Sequence, residues 1–119
     1  MGAAPRSPDR RDDTIVALAT APGRGALAVV RLSGTHAHKT AGRLGVPAAL
    51  EPRRVTRVAL HGCDDPAAPL DDATAVLFLA AHSPTGEELV ELTTHGGAVV
   101  AATVLAAAVA AGARPALPG

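Results

Sequence analysis

Two short runs of strand-forming residues in this chain each carry a single charge in their interior, and that pattern restricts what the chain can fold into. Val29-Val30-Arg31-Leu32-Ser33-Gly34 places Arg31 among apolar neighbours, and Glu88-Leu89-Val90-Glu91-Leu92-Thr93-Thr94 does the same with Glu91. A charge withdrawn from water without a partner costs on the order of several kcal/mol or changes its protonation. The fold must therefore bring each charge to another side chain or to a polar ligand. By strand alternation Arg31 shares a face with Leu27 and Val29, and Glu91 shares one with Leu89 and Thr93.

The chain has 119 residues, enough for one domain. Phe78 is its only aromatic residue, so the core has to be built from Val, Leu, Ile and Ala, with modest buried area per residue. A partner subunit or further domains would offset that shortfall. Eleven basic and eleven acidic residues give zero formal charge, and Arg53, Arg54 and Arg57 form the sole mid-chain basic cluster. That is a weak electrostatic footprint for a free-standing nucleic-acid binder. The lone Cys63 cannot close an internal disulfide, which suits a reducing cytoplasm. The polar, partly acidic start resembles neither a secretory nor a transit leader. The longest apolar stretch, residues 98–111, is interrupted by Thr103 and falls short of the ~20 residues that span a bilayer. A cytoplasmic protein with no membrane segment is expected.

Along the chain, residues 1–13 are rich in Pro, Arg and Asp and read as a disordered lead-in. Residues 14–20 and 26–32 read as a hairpin of two strands around the Pro22-Gly23-Arg24-Gly25 turn. The second has apolar residues on both faces, as a central strand covered on both sides does. Thr35 is placed to cap a short helix with Ala37, Thr40, Ala41 and Leu44 on one face, stopped by Gly45 and Pro47. Residues 54–61 and 73–80 read as two further strands joined by a loop over 62–72, and residues 88–94 as a fifth. His95-Gly96-Gly97 then opens a long Ala/Val/Leu helix ending near Gly112. It is apolar nearly all round and so expected to be buried on more than one side, between the sheet and a second subunit. The prediction is an α/β (α+β) domain with a mixed five-stranded sheet and two to three helices. Residues 114–119 read as extended, and the chain looks cut at Pro118-Gly119.

Several chemistries are poorly supported. Gly34 to Thr40 approaches a phosphate-binding loop but lacks the glycine before Lys39, so a capped helix with a surface lysine accounts for it. His36 and His38, two apart on a helix, point about 200° apart and cannot share a metal ion. Cys63 beside His61 has no second ligand cluster near it. Ser33, His95 and Asp72 carry no spacing that marks a nucleophilic triad. Arg31 and Glu91 are stronger. A carboxylate accepts two parallel N–H bonds from a 2-amino-4-oxo ring such as a pterin or guanine, and a guanidinium suits a carboxylate tail. The alternative is that the two simply pair across the sheet. At His95-Gly96-Gly97 a strand-to-helix junction offers free N–H groups and close backbone approach, or serves only as a tight turn. Arg24 either reaches a ligand or is solvated.

The segments 13–17 (Asp-Thr-Ile-Val-Ala), 22–25 (Pro-Gly-Arg-Gly), 31–34 (Arg-Leu-Ser-Gly) and 83–97 (Ser-Pro-Thr-Gly-Glu through His-Gly-Gly) resemble, in order and spacing, the amino-terminal part of the tRNA-modifying GTPases of the MnmE/TrmE family. The resemblance covers residues 14–119. It implies a fold similar to tetrahydrofolate-binding domains, a homodimer, and a bound 5-formyl-tetrahydrofolate contacted by Arg31 and Glu91, with His95, Gly96, Gly97 and Arg24 around the pocket. It also implies a parent protein that hydrolyses GTP with Mg and K in a separate domain. With an FAD-dependent partner, MnmG, that parent forms the 5-carboxymethylaminomethyl group on the wobble uridine of tRNA. The family's GTPase and helical domains are not in this sequence, nor is a folate-contacting lysine that follows further on, so the domain reads as carboxy-terminally truncated. Pro84 stands where the family usually has phenylalanine, and Thr93-Thr94 replaces its usual pair before the histidine. Two other readings stay open: a ligand-free structural dimerisation domain, and a folate-dependent one-carbon transferase.

Overall fold

β-Branched and leucine-rich runs pair into one mixed sheet in the computed structural model, which describes residues 13–19, 27–95 and 97–116. The elements are β1 (Ile15–Leu18), β2 (Ala28–Ser33), α1 (Ala37–Gly42), β3 (Thr56–Gly62), β4 (Asp65–Phe78), β5 (Leu89–Thr94), α2 (Gly97–Ala110) and β6 (Arg114–Pro115). A single 3-10 turn, Ala80–His82, lies between β4 and β5. Strand order is β3-β4-β5-β2-β1-β6, antiparallel throughout except for the parallel β1–β6 pair. The α/β class matches expectation, and β2 is an interior strand, although within this chain only one of its faces is covered rather than both. The sheet has six strands rather than five because the chain after α2 runs back beside β1, where the backbone N–H of Arg114 donates to the Thr14 carbonyl.

One alternation set on the strands faces the helices. Val16, Val30, Leu32, Leu92, Ala75 and Leu60 pack with Ala37 and Ala41 of α1, Leu44 in the turn after it, and Val104 and Ala108 of α2 in one cluster. Its largest side chains are leucines and valines, so a core without aromatics closes, as the composition requires. The opposite set is half-buried or exposed: Ala17, Val29, Arg31, Ser33, Thr74, Val76, Phe78, Glu91 and Thr93. Leu89 is the fully buried exception. This uncovered sheet face carries the candidate site.

Two local expectations need correction. The segment read as a loop over 62–72 is mostly strand: β4 begins at Asp65 and pairs with β3 as a ribbon turning at Cys63-Asp64. Pro66 and Pro69 cannot donate ladder bonds, and the ribbon accommodates them through register shifts at Leu60/His61 and His61/Gly62. Asp64, a short polar residue, takes the positive φ (55°) of the turn. Next, the cap position of α1 falls on His36, not Thr35, without a side-chain cap bond. The Ala37 N–H instead reaches the Gly34 carbonyl, so a backbone turn closes the helix start. Gly45 ends this helix at φ 107°, where a side chain would strike the Ala59 carbonyl 2.6 Å away. Against the sheet α2 buries one stripe, Ala101, Val104 and Ala108. Its outer side leaves Val99 78% and Val109 43% exposed.

Asp13, the last residue of the expected lead-in, is held by Arg114 at 2.9 Å. Residues 1–12 and the Pro22–Gly25 turn lie outside the described residues.

Candidate functional site

Strand pairing decides how the two interior charges meet. In the β2–β5 register Arg31 stands directly opposite Glu91. Arg31 Nε donates to Glu91 Oε2 at 2.6 Å, with the side chains 44% and 23% exposed. The pair is flanked by Ala17 on β1 and Val76 on β4. Phe78 lies on the same face, one step along β4 and diagonal to Glu91. Two neighbouring charges on an uncovered face are screened and contribute little to stability. Their chemistry is more telling. One nitrogen of the guanidinium and one oxygen of the carboxylate meet, which leaves the Arg31 terminal N–H fork and Glu91 Oε1 for other partners. That remaining set offers N–H donors and one carboxylate oxygen as acceptor, and Phe78 and Val76 supply apolar surface beside it.

The loop before β5 folds onto this region. Ser33 Oγ lies 3.1 Å from Thr85 Oγ1, and Thr85 Oγ1 lies 2.9 Å from Ser83 Oγ. The Gly34 N–H donates to the Glu88 carbonyl at 3.0 Å. Sequence segments fifty residues apart thus form one edge of the site.

His95 leaves the end of β5. Its backbone N–H donates to Asp71 Oδ2 at 2.7 Å, and its Nδ1–H donates to the Asp72 carbonyl at 2.7 Å. That fixes the ring and turns Nε2 outward as an acceptor when the imidazole is neutral. His95 borders a cavity of about 520 Å³ with Arg57, Asp71, Asp72, Ala73 and Thr74. Gly97 opens α2 at φ 76°, with nothing within 4 Å of where a side chain would begin. Arg24 and Gly96 lie outside the described residues. Of this cavity's lining, the sequence reading set Asp72 beside His95 only in a triad it did not support, named Arg57 only in a basic cluster, and did not single out Asp71 or Thr74. The signal was available only in part, since both aspartates sat in a segment read as loop.

A second cavity, about 430 Å³, lies beside α1 and is bordered by His36, His38, Lys39 and Glu88. The His38 N–H donates to Glu88 Oε1 at 2.8 Å, and His38 Nε2 lies 2.8 Å from the Pro47 carbonyl. Among the described residues no group of three metal-ligating side chains converges. At the ribbon tip, Arg43 Nε and Nη2 both meet Asp64 Oδ2, at 3.0 and 2.5 Å. The hydrogen bonds from Arg43 hold the Asp64 carboxyl below the usual aspartate range. No helix among the described residues is long and apolar enough to cross a membrane.

Known proteins place this geometry in context. Residues 14–119 match the family model described as the GTP-binding protein TrmE N-terminus. The chain belongs to that family. A tRNA modification GTPase MnmE of Legionella pneumophila (strain Corby) is 42% identical over 107 residues, covering 90% of this chain and 24% of the relative. The namesakes of Verminephrobacter eiseniae and Thiobacillus denitrificans are 44% and 46% identical, each over 92% of this chain and 23% and 24% of their own. The chain thus spans about a quarter of the length of the curated MnmE relatives it matches, and corresponds to their amino-terminal domain.

Proposed function

We propose that this TrmE amino-terminal domain binds 5-formyl-tetrahydrofolate on its open sheet face and dimerises, as the cofactor-holding module of a tRNA modification GTPase. Glu91 takes the N–H edge of the pterin ring, Arg31 orients that carboxylate and offers its remaining N–H fork, His95, Gly96 and Gly97 shape the pocket wall, and Arg24 is a further ligand contact. The observation that carries this reading is the Arg31–Glu91 pair itself: joined by one hydrogen bond, half-exposed, and set on rigid interior strands beside the sole aromatic residue. In this picture the full-length protein is cytoplasmic. GTP, Mg and K belong to its GTPase domain, and it works with the FAD-dependent partner MnmG to form the 5-carboxymethylaminomethyl group on tRNA wobble uridine. This domain contributes the one-carbon carrier and part of the homodimer contact.

Calorimetry of the chain with 5-formyl-tetrahydrofolate tests the proposal: saturable one-site binding supports it, and an absence of heat at millimolar ligand counts against it. The second reading, a structural dimerisation domain whose two charges only neutralise each other, is favoured by the direct 2.6 Å contact. A dimer in sedimentation without folate affinity would decide for it.

A further inference from the structure

We infer that the outer edge of β3, at residues 55–57, takes an added strand from another protein: an extended segment that carries acidic residues and an apolar one on the same face. It is independent of the folate reading, since β4 lies between this edge and Glu91.

The backbone groups of this edge are unpaired. β3 ends the sheet on its side and is joined to β4 alone. Toward the ribbon tip its outer edge is covered: the His61 N–H donates to the Leu44 carbonyl at 2.9 Å, and the Ala59 carbonyl lies 2.6 Å from where a Gly45 side chain would begin. Backbone groups turn to alternate sides along a strand, so if Ala59 and His61 turn theirs outward, Arg57 and Val55 do too. Side chains follow the same alternation, with Val58 and Leu60 buried and Val55, Arg57 and Ala59 exposed. The Arg53 N–H donates to the Leu77 carbonyl at 2.7 Å, which keeps the chain beside β4 just before β3 begins. The cover at 43–45 makes no hydrogen bond to Val55 or Arg57, and their outward groups have no partner among the described residues.

Charge decides the occupant. From Pro52 to Cys63 the chain has three arginines and no acidic residue. Arg54 meets Glu51 at 3.1 Å, whereas Arg53 and Arg57 are exposed and without a side-chain partner among the described residues. Val55, 66% exposed, stands between them. A second copy fits poorly, because pairing two such edges sets arginine against arginine, and like charges opposed across strands destabilise. A bare polyanion would use the guanidinium forks but leave the backbone groups unpaired and Val55 in water. An extended acidic segment satisfies all of them. Its backbone continues the ladder, its carboxylates take the forks, and its apolar side chain covers Val55.

The test follows amide shifts and hydrogen exchange of the chain during titration to about 1 mM with a short blocked peptide. The peptide carries glutamate, valine and glutamate on one face and threonine on the other. Two controls accompany it, one with lysine for glutamate and one with its amides N-methylated. The glutamate peptide should shift and protect the Val55 and Arg57 amides. The lysine peptide should bind at least about tenfold more weakly, and the N-methylated peptide should give no protection. Arg57→Glu, at an exposed position that preserves folding, should reverse the preference between glutamate and lysine peptides. Protection at neither amide, or equal protection by the N-methylated peptide, overturns strand addition. A uridine oligonucleotide that takes the same amides more tightly than the peptide overturns the choice of a protein partner. Protection that grows with concentration of the chain alone assigns the edge to a second copy and overturns the proposal as well.

Discussion

The carbonyl oxygen of Asp13 occupies the place where a side chain on Gly34 would begin, 2.3 Å from the ideal Cβ position, and Gly34 holds φ at 142°. This glycine closes the Arg-Leu-Ser-Gly segment at the point where β2 passes beside the start of β1 and gives way to α1. Its N–H also ties the segment to Glu88. A residue with Cβ must move the backbone of one strand or the other. Gly34→Ala should therefore destabilise the chain by roughly 2 kcal/mol or more, from backbone strain added to the clash. Chemical denaturation measures it; an unchanged midpoint would contradict the account.

Arg31→Ala and Glu91→Ala, by contrast, should each cost about 1 kcal/mol or less, because both side chains are partly exposed on an uncovered face. Thermal unfolding of the two variants checks this. A loss comparable to that of a core truncation would mean that the pair is structural.

Much of the fold was legible before any coordinates. The β2 and β5 runs, their single charges and the buried face of α1 (Ala37, Thr40, Ala41, Leu44) follow from periodicities of two and 3.6, since these elements each bury one side. β3 and the second half of β4 were legible as strands over 54–61 and 73–80, but the part of the ribbon over 65–72 was not, because Asp71-Asp72 and two prolines carry turn chemistry that register shifts override. β6 escaped for another reason: two residues paired to a distant strand leave no local period. In the site, alternation put Arg31 and Glu91 on definable faces, but their direct opposition is a matter of register, which no local pattern specifies. For the same reason Arg57 could not be linked to His95. Which side of α2 the sheet covers was not legible either, since an all-apolar helix carries no pattern that marks it.

The uncovered side of α2 gives a prediction about assembly. Val99 is 78% exposed, so Val99→Glu should leave monomer stability within about 0.5 kcal/mol. If α2 forms the proposed dimer contact, the same change should shift sedimentation from dimer toward monomer. A dimer that survives it would place the contact elsewhere.

Acid should loosen the ribbon tip. The hydrogen bonds from Arg43 lower the Asp64 carboxyl below its ordinary value, so their stabilisation is present above about pH 4 and lost as pH falls through the depressed value. Asp64→Asn keeps the turn geometry and removes the charge. The stability gap between parent and variant should be open at neutral pH and narrow as pH falls through the depressed value; a gap unchanged by acid would contradict the assignment.

The central claim is that Glu91 reads a heterocycle, and titration calorimetry of 5-formyl-tetrahydrofolate against parent and Glu91→Ala chains tests it most directly. Loss of a charge-assisted bond of this kind should weaken binding at least tenfold, on the order of 1.5–3 kcal/mol, with the fold unchanged. Equal affinity in the two proteins would contradict the claim and leave Arg31–Glu91 as a surface ion pair.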